Sequence, residues 1–246
     1  MDIKGDMQHI VFVHGMFGQN GKYKAFFSML EEHGVSVHSV FLEDYSTDGM
    51  FVRFASKMII DQTIGALDDI KRNTGKAPWL FASSLGSAWA LIVAKKRPDL
   101  IEGMILHTII DIKNLPLKGF AQRFFYRLGK IFYFLTPLFK FVYFPLPFLL
   151  GMKARKRKFY QASSLMHLFL DKSMQVDLSS ILVPSYLICG QDDKVLQKSY
   201  CIKCFKSLGN ARDFFVIEDG GHEILATSPY DLTEIITEKI MNKLRA

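Results

Sequence analysis

The sequence predicts an α/β chain, with a mostly parallel six-stranded sheet and helices on both faces. Three observations carry this. Short β-branched and apolar runs alternate with longer stretches of helical periodicity. The joins between them are a few residues long, as right-handed crossovers in one sheet require. And the first run, His9-Ile10-Val11-Phe12-Val13, is continuously apolar after its histidine, as a strand covered on both faces must be.

That first run stops at His14-Gly15, and a helical stretch from about Tyr23 to His33 follows, closed by Gly34. Val35 to Leu42 reads as the second strand. From Val52 to about Asn73 the positions Phe54, Met58, Ile59, Ile64, Leu67 and Ile70 approximate a 3.6 period, and Gly75 and Pro78 end the pattern. Trp79 to Ala82 is the next strand, Leu85 to Lys96 a helix, and Glu102 to Thr108 a further strand. Beyond residue 175 the alternation resumes, with strand-like Val183 to Cys189, helical Leu196 to Leu208 and strand-like Asp213 to Ile217. Pro229 to Leu244 is a final amphipathic helix that Ser228 is expected to cap.

The net charge of +7 is unevenly spread. From Ile112 to Leu170 there are 11 basic residues and no Asp or Glu, so the remaining 187 positions hold 20 basic against 24 acidic residues. The same 59-residue stretch holds 15 of the 33 aromatic residues. A uniform nucleic-acid-binding surface is thereby disfavoured. The boundaries follow: residues 1–111 and 176–246 form the core, and 112–175 an inserted, basic, aromatic-rich helical cap. Cys189, Cys201 and Cys204 are too few and too close together for a secreted disulfide framework. Residues 1 to 25 show no signal-peptide pattern, so the expected location is cytoplasmic and the expected start Met1.

The segment Trp79-Leu80-Phe81-Ala82-Ser83-Ser84-Leu85-Gly86-Ser87 sets a serine between strand and helix, with Ala82 two before it and Gly86 two after. A turn that tight needs small flanking residues, and it lifts Ser84 above the sheet beside the amide of Leu85. Ser83 fails the same test, because Phe81 and Leu85 flank it. An activated serine needs a base, and the base an orienting carboxylate. His222 follows Gly220-Gly221 after the last strand, and Asp193 follows Gly190-Gln191-Asp192 after the strand before it.

These residues resemble the α/β-hydrolase superfamily over nearly the whole chain outside the cap. The motifs are Val13-His14-Gly15-Met16, Ala82-Ser83-Ser84-Leu85-Gly86, Gly190-Gln191-Asp192-Asp193 and Gly221-His222. The resemblance implies an α/β-hydrolase fold with Ser84 as nucleophile, Asp193 as acid and His222 as base. It implies the amides of Met16 and Leu85 as oxyanion hole, with His14, Gly15 and Gly86 in support. It also implies no metal and no organic cofactor. Asp192 is a rival acid that the family spacing disfavours, and Asp111 is an alternative after an earlier strand. A serine at the elbow disfavours the dehalogenase and epoxide hydrolase branches. His14 is expected to brace the oxyanion loop, and His9, His33, His38, His107 and His167 are read as surface or satisfied structural groups. Cys201-Ile202-Lys203-Cys204 has a redox spacing, but it lies inside a helical pattern without a companion pair.

Members of the superfamily commonly carry a cap at this point in the chain. Here its segment from Ile131 to Leu150 is almost wholly apolar over 20 residues, the length of a membrane span. Lys140 at its centre and Pro137, Pro145 and Pro147 oppose spanning, and a single crossing would part Ser84 from His222. Arg123, Arg127 and Lys130 precede the run, and Lys153, Arg155, Lys156, Arg157 and Lys158 follow it. These eight suit contact with an anionic membrane surface, peripheral at its inner face, or with an acidic acyl carrier protein. A lid packed inward with its charges solvated is the plainer reading. The expected activity is serine hydrolysis of a carboxylic ester or thioester of a lipophilic acyl group. Carrier-dependent acyl hydrolysis and a non-catalytic ligand-binding protein of the same fold are the alternatives.

Overall fold

A computed structural model describes residues 7–15, 20–40, 55–113 and 175–242. The strands are β1 (Gln8–Val13), β2 (Val35–Val40), β3 (Trp79–Ser83), β4 (Met104–His107), β5 (Ser185–Gly190) and β6 (Ala211–Ile217). They form one sheet in the order β2-β1-β3-β4-β5-β6, and every neighbouring pair is parallel. The described helices are α1 (Lys24–Glu32), α2 (Ala55–Thr74), α3 (Leu85–Lys96), α4 (Lys198–Phe205), α5 (Ile224–Thr227) and α6 (Pro229–Glu234).

The two-residue alternation of β1 divides the core. Val11 and Val13 point to one face, where they meet α2, α3 and α4 residues such as Ile59, Trp89 and Cys201. Ile10 and Phe12 point to the other, against Phe26 and Leu30 of α1 and Leu232 and Ile236 near the C-terminus. A strand buried on both faces must be apolar at consecutive positions, which is what the run in β1 encodes. The α3 helix is buried from Leu85 to Ala94 on every side, consistent with its almost uniformly apolar sequence.

The chain travels outward from β1 to β2 and then returns to place β3 on the other side of β1. The strand order therefore reverses between β1 and β3, and ligands in such sheets bind beyond the carboxyl ends at that point. Aromatic packing fixes this junction. Phe12 of β1 lies 5.3 Å from Phe81 of β3, and Phe26 of α1 meets Phe81 edge-on at 5.8 Å. Such pairs contribute about 0.5–1.5 kcal/mol each beyond simple burial.

The elements differ from the sequence expectations mainly at their ends. Helix α1 is preceded by a 3₁₀ turn over Asn20–Tyr23, and β4 is shorter than Glu102 to Thr108, beginning at Met104 and ending at His107, before Thr108 with its φ of 61°. Strand β6 begins two residues earlier than expected, at Ala211. Ser228 forms no side-chain cap. It also closes the short helix α5, donating its own amide to the Ile224 carbonyl, and it offers only its carbonyl to Leu232. The final helix widens into π-type turns over Ile235–Met241. Residues 41–42, 52–54, 243–244 and most of the 112–175 cap lie outside the described residues, as do Met16, His167, Arg123, Arg127, Lys130, Lys153, Arg155, Lys156, Arg157 and Lys158. Among the described residues no helix is long and apolar enough to cross a membrane.

Candidate active site

Ser84 stands between β3 and α3 with φ 52° and ψ −117°, a backbone conformation that a residue with a Cβ adopts only under strain. The strain is held from several sides. The Ser84 amide donates to the His107 carbonyl at 2.8 Å, and the Ser84 carbonyl accepts from both the amide and the hydroxyl of Ser87, at 2.9 and 2.7 Å. The Ser87 hydroxyl in turn accepts from the Ile110 amide at 3.0 Å, which ties the turn after β4 to the start of α3. A Cβ on Gly86 would lie 2.4 Å from the Val13 carbonyl oxygen, and one on Gly15 would lie 3.0 Å from the Ser84 Cβ. Both small residues are therefore demanded by the close approach of β1 to the elbow. Leu85 is the first residue of α3, so its amide has no partner one turn back and sits at the positive end of a twelve-residue helix.

Asp193 follows β5 in a turn that buries its side chain completely. Its Oδ1 accepts from the amides of Val195 and Leu196, both at 2.8 Å, and its Oδ2 lies 2.7 Å from His222 Nδ1. Burial pushes the Asp193 carboxyl up, but the hydrogen bonds from His222, Leu196 and Val195 outweigh that and hold it below the ordinary carboxylate value. An ionised acceptor at Oδ2 places the His222 ring proton on Nδ1. Nε2 then presents a lone pair, and it lies 3.0 Å from Ser84 Oγ. The ring remains 18 % exposed, so it is reachable from the space above the sheet.

The turns that carry the acid and the base are stitched together. The Gln191 amide donates to the Ile217 carbonyl and the Asp192 amide to the Gly220 carbonyl, each at 2.9 Å. A Cβ at Gly190 would lie 2.2 Å from the Gly220 oxygen, so these two backbones touch. Gly190→Ala should force them apart, destabilise the protein by about 1–3 kcal/mol as overpacking does, and lower turnover about 100-fold through misplacement. Thermal unfolding and steady-state rates of that variant check it. Beside the base, Glu223 pairs with Lys22 at 2.6 Å, and because both side chains are well exposed the pair contributes no more than about 1 kcal/mol.

Ser84, Asp193 and His222 thus converge, with Leu85, Gly86 and Gly15 around them. His14 is fully buried, donates from Nδ1 to the Gly15 carbonyl and meets Trp89 edge-on at 6.1 Å, a position that braces the turn after β1. Asp192 is exposed. Asp111 accepts from the Lys113 amide at 3.0 Å and makes no hydrogen bond with His222. Cys201 and Cys204 are buried free thiols, and burial pushes the Cys201 thiol up to about 12, far from a reactive thiolate. One neighbour was not anticipated. His107, read from sequence as an ordinary structural group, is fully buried with its ring centroid 5.8 Å from that of His222.

No family model matches the chain, and no curated protein matches its sequence. Solved structures do. The chain is similar to a monoacylglycerol lipase from Paleococcus ferrophilus, with TM-score 0.65 and 18% identity over 95% of this chain and 94% of that one. It is also similar to a haloalkane dehalogenase loop variant from Bradyrhizobium elkanii, at 0.61 and 15% over 98% and 92%. A third similar structure is the thioesterase domain from the curacin biosynthetic pathway, at 0.62 and 15% over 94% and 91%. These proteins differ in the chemistry their names state and agree in architecture. With the parallel sheet, its reversal between β1 and β3 and the serine turn at that reversal, the likeness establishes that this chain has the α/β-hydrolase fold.

Proposed function

We propose that the protein is a serine hydrolase acting on carboxylic esters or thioesters of a lipophilic acyl group. The observation that carries this is the continuous chain from Ser84 Oγ through His222 to the buried Asp193 carboxylate, at 3.0 and 2.7 Å. His222 Nε2 takes the hydroxyl proton as Oγ attacks the acyl carbon, and Asp193 stabilises the imidazolium that results. The carbonyl electrons move onto oxygen, where the amides of Leu85 and, by resemblance to the superfamily, Met16 receive them. Collapse expels the alcohol or thiol, which receives the proton from His222, and water then releases the acid by the reverse sequence. The test is hydrolysis of p-nitrophenyl and thioester substrates across acyl lengths. Turnover that rises with chain length supports the reading, and a folded protein inert to every length favours a non-catalytic binding role.

The cap carries the second part of the proposal. Its eight flanking basic residues and its 20-residue apolar run favour an anionic membrane surface, on which each nearby Lys or Arg contributes about 1 kcal/mol. Binding to vesicles should require anionic lipid and weaken as salt rises. Equal binding to neutral vesicles contradicts this, and retention by acyl carrier protein in place of vesicles favours the carrier-dependent alternative.

A further inference from the structure

We propose that His107 is a positioning residue, a buried ring that joins the serine turn to the His222 turn and so sets the separation of nucleophile and base. The proposal rests on the hydrolase reading for its consequence in turnover, and on geometry alone for its effect on His222.

The residue is the last of β4, and it is joined to the site in three ways. Its carbonyl accepts the Ser84 amide at 2.8 Å, so it holds the strained turn directly. Its Nδ1 shares a hydrogen bond with the Ser83 hydroxyl at 2.9 Å, across the β3–β4 register pair Ser83↔His107. Its ring lies against that of His222, with centroids 5.8 Å apart and planes inclined by 42°. The residue before the nucleophile and the base therefore both contact the His107 side chain, and the nucleophile's own amide is held by the His107 backbone.

Simple core packing does not account for a histidine here. Its Nε2 is buried and has no hydrogen-bond partner among the described residues, and neither has the hydroxyl of the next residue, Thr108, which itself adopts φ 61°. An apolar side chain would avoid the desolvation penalty of that nitrogen, and buried polar groups left unpaired concentrate where function overrides stability. Ile105, two residues before His107 on β4, and its register partner Phe81 on β3 show what an ordinary core position at this sheet carries.

The ring is also electrically quiet. Burial, reinforced by the proximity of His222 and opposed by Asp193, pushes the His107 imidazole down to about 3. It is neutral while the site works, so no second positive charge opposes the imidazolium that forms on His222. The groups facing it are Ser83 from β3, Asp193 from the turn after β5 and His222 from the turn after β6. A neutral ring with one hydrogen bond to the serine turn and one face on the base can position both and compete for the proton of neither.

The test compares His107→Leu, His107→Asn and Ser83→Ala with the unaltered chain. The readouts are steady-state turnover of a p-nitrophenyl ester, thermal unfolding, and the downfield proton resonance of the His222 Nδ1–H. His107→Leu is expected to lower kcat about 10- to 100-fold with KM within about twofold, and to shift or broaden that resonance, as a misaligned base should. His107→Asn, which keeps a polar atom near the position of Nδ1, is expected to recover most of the kcat. Ser83→Ala should give a smaller loss that adds nothing in the His107→Leu background. A folded His107→Leu protein with kcat within twofold and an unmoved resonance overturns the proposal, as do losses in all three variants that track the unfolding temperature alone. If the unaltered chain hydrolyses nothing, the hydrolase reading fails separately. The resonance then decides: movement in His107→Leu supports positioning of His222, and an unmoved signal overturns it.

Discussion

Ser84→Ala is expected to lower kcat by about 10⁵–10⁶-fold while leaving the fold intact, because in the proposed mechanism the three residues act as a unit and Ser84 is indispensable to the covalent step. The substitution removes one oxygen, whose hydrogen bond is to the 18 % exposed His222 ring, so it opens no cavity in the core. The backbone strain stays, since alanine is no more at ease at φ 52° than serine. Glycine would relieve it. Ser84→Gly should be as inactive as Ser84→Ala and more stable by about 1 kcal/mol, the lower end of the strain such a conformation stores. Equal stability of the two variants would mean that the elbow is not strained in solution, and turnover surviving in either would mean that another group attacks the substrate.

Asp193→Asn is expected to cost about 10⁴-fold in kcat, and for an electronic reason. The asparagine oxygen can still accept from the amides of Val195 and Leu196, so the turn should hold. Its amide NH₂ would then face His222 Nδ1, which must become the acceptor, and the ring proton moves to Nε2, facing Ser84. The base is lost with little change in geometry. The same carboxylate links stability to pH. Its pKa in the folded protein is held below the ordinary value near 3.8, so its contribution is complete above that value and is lost as pH falls through the lower, folded one. Unfolding temperature measured from neutral pH down to pH ~2 should therefore fall more steeply for the unaltered chain than for Asp193→Asn. Equal slopes would remove Asp193 from the acid-sensitive set.

The parallel sheet was legible because its evidence is local and repeated. Continuously apolar strands with abrupt ends, such as Ile10-Val11-Phe12-Val13, can only be buried on both faces. That Ser84, Asp193 and His222 sit in turns at the sheet edge was legible for a different reason: each is flanked by small residues, and for Gly86 beside Ser84 and Gly190 before Asp193 the close backbone contacts demand them. His107 carried no such mark. It lies one residue past Met104-Ile105-Leu106 with no glycine beside it, and its importance comes from the register with Ser83, which no local pattern encodes. The one available signal was its place at the carboxyl end of a central strand, where sites of this architecture form. Ser228 misled because a residue that closes one helix as it opens the next cannot be identified as a cap from its type alone. The widening after Glu234 had no sequence signature that we can identify.

The proposed chemistry also places demands on the surroundings of the triad. The three thiols are buried, which disfavours them as nucleophiles, and burial pushes Cys189 up to about 11 and Cys201 to about 12. Ser83 and Ser87, the serines nearest Ser84 in sequence, are engaged with His107 and with the Ser84 carbonyl and Ile110 amide respectively. Among the described residues a reactive electrophile should therefore find one activated oxygen.

Covalent labelling reads that out directly. Incubation of the full chain with a fluorophosphonate, followed by intact-protein and peptide mass spectrometry, should give a single phosphonyl adduct on Ser84. The adduct should be absent from Ser84→Ala and form slowly in His222→Ala, where the hydroxyl has lost its base. An adduct on any other residue, undiminished labelling of Ser84→Ala, or no adduct on folded protein that turns over esters would contradict the assignment of Ser84 as the nucleophile.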